Sequence, residues 1–216
     1  ETLMEIQESG VRFLVDIEGG QKTGFFLDQR ENRRAVAEYV QGGDVLDAFC
    51  YTGGFAIHAA RAGARSVLGI ENSEAAVAMA RQNAELNGVH DRCTFIVGNT
   101  FDHLRRLSEE GRQFDAVILD PPAFVKTKSA LAGGLAGYKE INLRALKLLR
   151  PGGILVSCSC SFHVDEALLL AVVADAARDA RRTLRLVESR GQARDHPVLP
   201  SMPETRYLKC LIFRVS

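Results

Sequence analysis

The chain has 216 residues, which fits one domain, or one domain with a short appendage. Its apolar fraction of 46% and charged fraction of 25% exclude disorder, a collagen-like repeat and a small disulfide scaffold. The 27 basic residues balance 27 acidic ones, so no bulk field draws the chain to nucleic acid or a membrane, and no apolar run approaches the ~18 residues of a membrane span.

The amino terminus, ETLMEIQESG, is acidic and polar and is no signal peptide. It lacks an initiating Met, as expected of a processed product or a part cut from something longer. Residues 11–17 (VRFLVDI) read as a strand, Gly19-Gly20 as a turn and 23–27 as the returning strand of a hairpin. Asp28 is placed as an N-cap for a helix over 29–40, with Gly42-Gly43 as its stop.

From residue 44 the pattern alternates regularly. Strands are predicted over 44–50, 66–71, 93–97, 114–120 and 154–159, each a short apolar run. Helices are predicted over 55–62, from the Ser73 cap to Asn87, over 99–110, over 138–149 and over 163–181. Residues 123–136 read as a loop, and 183–189 and 207–215 as two last strands with no helix between them. Strands that are apolar throughout and alternate with helices indicate an α/β fold with a parallel sheet covered on both faces. The final pair places one antiparallel strand near the carboxyl end.

Ligands of such sheets bind beyond the carboxyl ends of the strands. Five strand ends therefore carry the candidate chemistry. Asp47-Ala-Phe-Cys-Tyr-Thr-Gly-Gly54 is a glycine-containing turn that lets a ligand approach the backbone, and Asp47 can face a cationic amine. It lacks the G-x-G-x-x-G spacing, which speaks against a pyrophosphate and a nicotinamide dehydrogenase. Glu71, followed by Asn72, stands where an acid meets a ribose diol. Asn99 either bonds an adenine edge or caps the following helix. Asp120-Pro121-Pro122-Ala-Phe124 fixes an extended backbone whose carbonyls suit a flat polar ring.

The five cysteines are Cys50, Cys93, Cys158, Cys160 and Cys210; an odd count without a signal peptide reads as reduced thiols of a cytosolic (cytoplasmic) protein. Cys158-Ser-Cys160 is not a zinc spacing, so no metal is expected. Cys158 and Cys160 share one strand face. Cys160, nearer a helix start, is the candidate nucleophile, and Cys158 the inert core thiol. Lys126 and Lys128, with Tyr138 and Lys139 beyond, can contact phosphates, although a solvated loop explains the lysines equally well. His163 is a candidate helper of Cys160; Arg30, Arg33 and Arg34 form a helix face or clamp a carboxylate.

Read together, these strand ends resemble the class I S-adenosylmethionine-dependent methyltransferases, and more closely the ribosomal RNA large-subunit methyltransferase I family. Further segments carry the resemblance: Gly20-Gln-Lys-Thr-Gly-Phe-Phe-Leu-Asp-Gln-Arg30, Tyr138-Lys-Glu-Ile-Asn142, Ser159-Cys160-Ser161, Asp195-His-Pro197 and Tyr207-Leu-Lys209. It covers nearly the whole chain. It implies a Rossmann-like methyltransferase sheet over 28–216, preceded by a β-hairpin segment over 1–27 that ends a linking β domain. An RNA-binding PUA domain would lie before that, and a homodimer is left open.

The resemblance further implies that S-adenosylmethionine is the cofactor and 23S ribosomal RNA the substrate, methylated to 5-methylcytosine. Asp47, Phe49, Tyr51, Gly53 and Gly54 would surround the methionine part, Glu71 and Asn72 the ribose, and Asn99 the adenine. Gln29 and Arg33 would close the site, Cys160 would attack cytosine C6, and Asp120 would contact the base and the cofactor. Pro121, Pro122, Phe124, Lys126, Tyr138 and Lys139 would touch substrate. Asn99 stands where an Asp is common, and Ala123 where many RNA cytosine methyltransferases carry a second Cys, so the base that removes the C5 proton is unassigned, with Cys158 a weak candidate. Two alternatives remain: a sister family that methylates guanine nitrogen without a cysteine, and an inactive module that keeps the cofactor pocket.

Overall fold

Alternation of buried and outward residues begins at the amino end. In the computed structural model, which describes residues 3–20 and 24–216, β1 (Leu3–Glu8) and β2 (Val11–Asp16) pair antiparallel, with Glu8 opposite Val11. Ser9 and Gly10, at φ +51° and +80°, make the two-residue left-handed turn that matches strand twist. Val11, Phe13 and Val15 enter the core, while β1 lies mostly exposed. That exposure hid β1 in the sequence. The partner of β2 lies on its amino side, not at 23–27: Gly24 to Phe26 form no strand, and Thr23 lies outside the described residues.

The buried side chains of Asn83 and Asn87 dock β2 onto the main body. Leu14 N donates to Asn83 Oδ1 at 2.7 Å, and Arg12 N to Asn87 Oδ1 at 3.0 Å. A short 3-10 turn over Leu27–Gln29 then leads into α1 (Arg30–Ala37). Asp28 does not cap this helix; its Oδ2 accepts from Tyr207 Oη at 2.7 Å.

The main sheet follows as β3 (Asp44–Ala48), α2 (Gly54–Arg61), β4 (Ser66–Glu71), α3 (Glu74–Leu86), β5 (Cys93–Val97), α4 (Thr100–Glu109), β6 (Phe114–Leu119), α5 (Leu131–Leu148), β7 (Leu149–Ser159), α6 (Glu166–Asp179), β8 (Leu184–Arg190) and β9 (Lys209–Val215). Among the described residues its order is β5-β4-β3-β6-β7-β9-β8. Only β9 runs antiparallel, to β7 on one side and β8 on the other. β3 pairs with both β4 and β6, so the chain reverses its winding direction there and opens a crevice. One core layer joins α1, α2, α3 and β2; the other lies under α4, α5 and α6. None of the described helices is long and apolar enough to cross a membrane.

Two boundaries differ from the sequence reading for local reasons. α5 starts at Leu131, inside the segment read as a loop. Gly134 serves close packing: a Cβ there would lie 2.2 Å from Val125 Cγ2 and 3.1 Å from Phe124 O. α6 starts at Glu166 rather than 163, because Asp165 caps it, accepting from Leu168 N at 2.8 Å. Close packing also fixes Gly69 in β4, where a Cβ would lie 2.4 Å from Phe95 Cδ1 and 2.9 Å from Cys50 Sγ. Gly69→Ala is expected to destabilise the fold by about 1–3 kcal/mol, read as a lower urea midpoint.

Candidate active site

The turn after β3 sits at the crevice. Phe49 (φ +66°), Tyr51 (φ +48°) and Gly53 (φ +85°) are all left-handed, a conformation that aromatic residues adopt only when their surroundings enforce it. Glu71 does so from the end of β4. Its Oε2 accepts from Tyr51 N at 3.1 Å, and its Oε1 from Asn72 N and Ser73 N at 2.7 and 3.0 Å. Cys50 N donates to Ile70 O at 3.0 Å. The turn thus holds its bent shape before any ligand arrives.

Asp47 lies beneath this turn, fully buried, and its Oδ2 accepts from Ala56 N in the first turn of α2. Its Oδ1 has no hydrogen-bond partner, and burial, followed by the nearby Asp120 charge, pushes its carboxyl well up. Asp47 therefore braces the turn from below and does not line the open cleft.

The cleft has two halves that share Phe26, Phe49, Tyr51 and Asp120. One half adds Glu71, Asn72, Asn99, Thr100, Phe101, Pro122 and Phe124. Phe49, Phe101 and Phe124 form an aromatic wall with ring centroids 5.7–6.2 Å apart. Asn99 caps α4, its Oδ1 accepting from Phe101 N at 2.9 Å, and the residue also lines the cleft.

The other half is lined by Phe25, Asp28, Gln29, Arg33, Cys50, Thr52, Gly54, Phe55, Cys160 and Leu208 besides the shared residues. Cys160 is half-buried there, on the same wall as Asp120. Gln29 Nε2 donates to Asp120 Oδ1 at 2.9 Å, and Gln29 Oε1 accepts from Asn32 Nδ2 at 2.6 Å, which fixes the carboxylate. Gly53 is buried at the N-cap of α2 and packs on Ile57, Ala80 and Phe95.

Arg33 reaches this wall, with its Nε and Nη2 donors committed elsewhere. It holds Glu8 through two bonds, at 2.7 and 2.8 Å, and donates to Phe26 O at 2.8 Å. His58 Nε2 lies 3.0 Å from the same Glu8 oxygen. The cluster ties the hairpin to α1 and α2 behind the cleft.

Several sequence candidates fall elsewhere. Tyr138 is fully buried; its hydroxyl bonds Ser159 Oγ and Ser161 Oγ at 2.8 and 2.9 Å, and its ring supports Phe124 from behind. Lys139 pairs with Asp175 and Asp179 of α6, away from the cleft. Both are corrected from substrate contacts to structural ones. Lys126 is exposed on the loop, Pro121 is buried, and neither lines the cleft. Cys158 lies in the core, and the adjoining Cys210 thiol, together with burial, pushes its own thiol far up, which makes it a poor proton acceptor. His163 lines neither half.

Sequence reasoning missed Phe25, Phe26, Phe101, Leu208 and Asp28 as cleft residues. The phenylalanines and Leu208 read as ordinary core residues, and only the chain fold turns them inward. The helix that follows Cys160 in the chain starts six residues later, at Glu166, and not directly after it.

A family model described as S-adenosylmethionine-dependent methyltransferase matches residues 1–214. The chain belongs to this family. Among curated relatives of this methyltransferase is ribosomal RNA large subunit methyltransferase I of Aeromonas salmonicida, 49% identical over 97% of this chain and 53% of the relative. The enzyme of the same name from Photobacterium profundum is 47% identical over 94% of this chain and 52% of the relative. The chain thus spans about half the length of the curated relatives it matches. Among solved structures, one described as a methyltransferase complexed with SAH superposes with a TM-score of 0.88 at 21% identity, over 99% of this chain and 56% of that one. The SAM-dependent methyltransferase of Agrobacterium tumefaciens gives 0.74 at 20% identity, over 99% of this chain and 70% of that one.

The methyltransferase's residues fit its cofactor, S-adenosylmethionine. An aromatic wall suits the flat adenine, and Glu71 at a strand end suits a ribose diol.

Proposed function

We propose that the chain is the catalytic part of an RNA methyltransferase that forms 5-methylcytosine in 23S ribosomal RNA through a covalent cysteine adduct. The observation that carries this reading is Cys160 standing in the same cavity wall as Asp120 and Gln29, beside the half-cleft that fits the cofactor's nucleoside. The name of the relatives supplies the ribosomal RNA of the large subunit.

When bound, S-adenosylmethionine supplies an electrophilic methyl group; Glu71, Asn72 and Asn99 would hold its nucleoside, and Phe49, Tyr51, Gly53 and Gly54 its methionine part. Carbon 5 of cytosine is too poor a nucleophile to accept a methyl group unaided. In this scheme the Cys160 thiolate adds to C6, and Asp120, held by Gln29, delivers a proton to N3 as charge builds there. Carbon 5 becomes enamine-like and is methylated. Asp28, the second carboxylate of this cavity, then accepts the C5 proton; N3 returns its proton to Asp120, the C5–C6 double bond reforms and the thiolate leaves. Pro122 and Phe124 shape the rim where the base enters, and the base must be unpaired to reach it.

Nucleoside mass spectrometry of 23S RNA from cells lacking the gene tests this reading. Loss of a 5-methylcytidine, restored by the wild-type gene, is expected. Loss of a methylguanosine instead would move the assignment to the guanine-nitrogen class, and unchanged nucleosides would leave an inactive cofactor-binding module.

A further inference from the structure

Lys209, the first residue of β9, is 5% exposed. A buried ammonium is costly unless an anion or several acceptors compensate it. Its Nζ donates to Ser161 O at 2.7 Å and to Tyr207 O at 2.8 Å, both neutral carbonyls. No ion pair among the described residues includes it, so this buried cation has no carboxylate in direct contact, and Asp165 acts on it only from farther off. Register places Lys209 opposite Ser159, and its Nζ reaches the carbonyl of the residue that follows Cys160. The ammonium therefore sits against the backbone that carries the cleft thiol.

Other charged and titratable groups around that thiol mostly oppose its ionisation. Asp28 and Asp120 share its cavity wall. Tyr138 faces it from α5 and Tyr207 from the approach to β9, and Asp165 begins α6 nearby. Arg33 is a cation on the same wall, but its charge is taken up by Glu8. We propose that Lys209 is a positioning residue that holds Cys160 as a thiolate, the thiolate being the counter-ion that this buried ammonium otherwise lacks. This rests on the reading of Cys160 as the nucleophile. Burial lowers the Lys209 ammonium from 10.5 to about 8, while the facing Cys160 and Asp165 charges act to raise it. Support for the thiolate is thus present near neutral pH and fades as pH rises through about 8.

The test needs neither RNA nor cofactor. Alkylation of Cys160 by iodoacetamide is followed against pH, with peptide-resolved mass spectrometry to separate the five cysteines. In the wild-type chain the midpoint should fall about one pH unit or more below that of a free thiol. Lys209→Met should raise it by at least about one unit, a roughly tenfold slower reaction near pH 7, and Lys209→Arg should restore most of the rate. Equal midpoints in the wild type and Lys209→Met would overturn the proposal. Should Lys209→Met fail to fold, the ultraviolet thiolate absorbance of wild type minus Cys160→Ser decides, and a midpoint at the ordinary thiol value overturns the proposal. Failure of the nucleophile reading shows elsewhere, as absent trapping on 5-fluorocytosine RNA by a chain whose Cys160 still ionises early.

Discussion

Cys160→Ala is expected to abolish methyl transfer, by at least ~10^3-fold, while leaving S-adenosylmethionine binding within about twofold by calorimetry. The split follows from the cleft. Cys160 lines only the half that holds Gln29 and Asp120, whereas Glu71, Asn72, Asn99 and the aromatic wall lie in the other. Removing one sulfur from a half-buried position leaves a small gap on an open surface and leaves the strained turn after β3 untouched. The same variant should form no covalent complex with RNA containing 5-fluorocytosine, since the fluorine stalls the wild-type reaction only after a thiol has added to C6. Retained methylation would remove the cysteine from the mechanism and favour a direct attack by a ring nitrogen or amino group. Cys158 cannot substitute, because it is fully buried beside Cys210.

The order of strands and helices was legible because the central strands are short, mostly apolar runs and three of the helices begin at a side-chain cap, Ser73, Asn99 and Asp165. Ser73, for example, accepts from Ala76 N as its position before an Ala-rich stretch suggests. The residues that turned out to gather at the cleft were legible for the same reason, since a parallel sheet sends its strand ends to one edge. What the sequence hid is tertiary. β1 is exposed on most of its length, so no burial pattern marks it, and its sole deeply buried polar residue, Glu8, makes sense only beside Arg33 and His58. Tyr138 and Lys139 sit in one motif yet face different ways, since neighbours on a helix point about 100° apart, and neither faces the cleft. Lys209 reads as an ordinary strand-edge lysine until the antiparallel register of β9 carries it past Ser159.

Glu8→Gln is expected to destabilise the fold by about 3–5 kcal/mol, the largest stability effect of any single polar change proposed for this chain. Glu8 is 3% exposed and Arg33 4%, so the substitution leaves a guanidinium in the interior with no anion. Burial pushes the Glu8 carboxyl up, but the hydrogen bonds from His58 and Arg33, with the Arg33 charge, more than offset it and hold the group at about 2, below its ordinary 4.5. A carboxyl lowered on folding stabilises the native state above its unfolded value. That stability, about 3 kcal/mol, is lost as pH falls from 4.5 toward 2, because the unfolded chain takes up the proton first. Urea midpoints measured between pH 6 and 2 should therefore fall less steeply in Glu8→Gln than in the wild type. An equally steep fall would mean that other carboxylates carry the acid response. The loss should also reach the cleft. Arg33 donates to Phe26 O, and Phe26 lines both halves, so freeing Arg33 should weaken cofactor affinity even where the variant remains folded. The double change Glu8→Leu with Arg33→Met removes both charges at once. It should recover most of the stability lost in Glu8→Gln, since the cost lies in stranding one buried charge rather than in the absence of the pair.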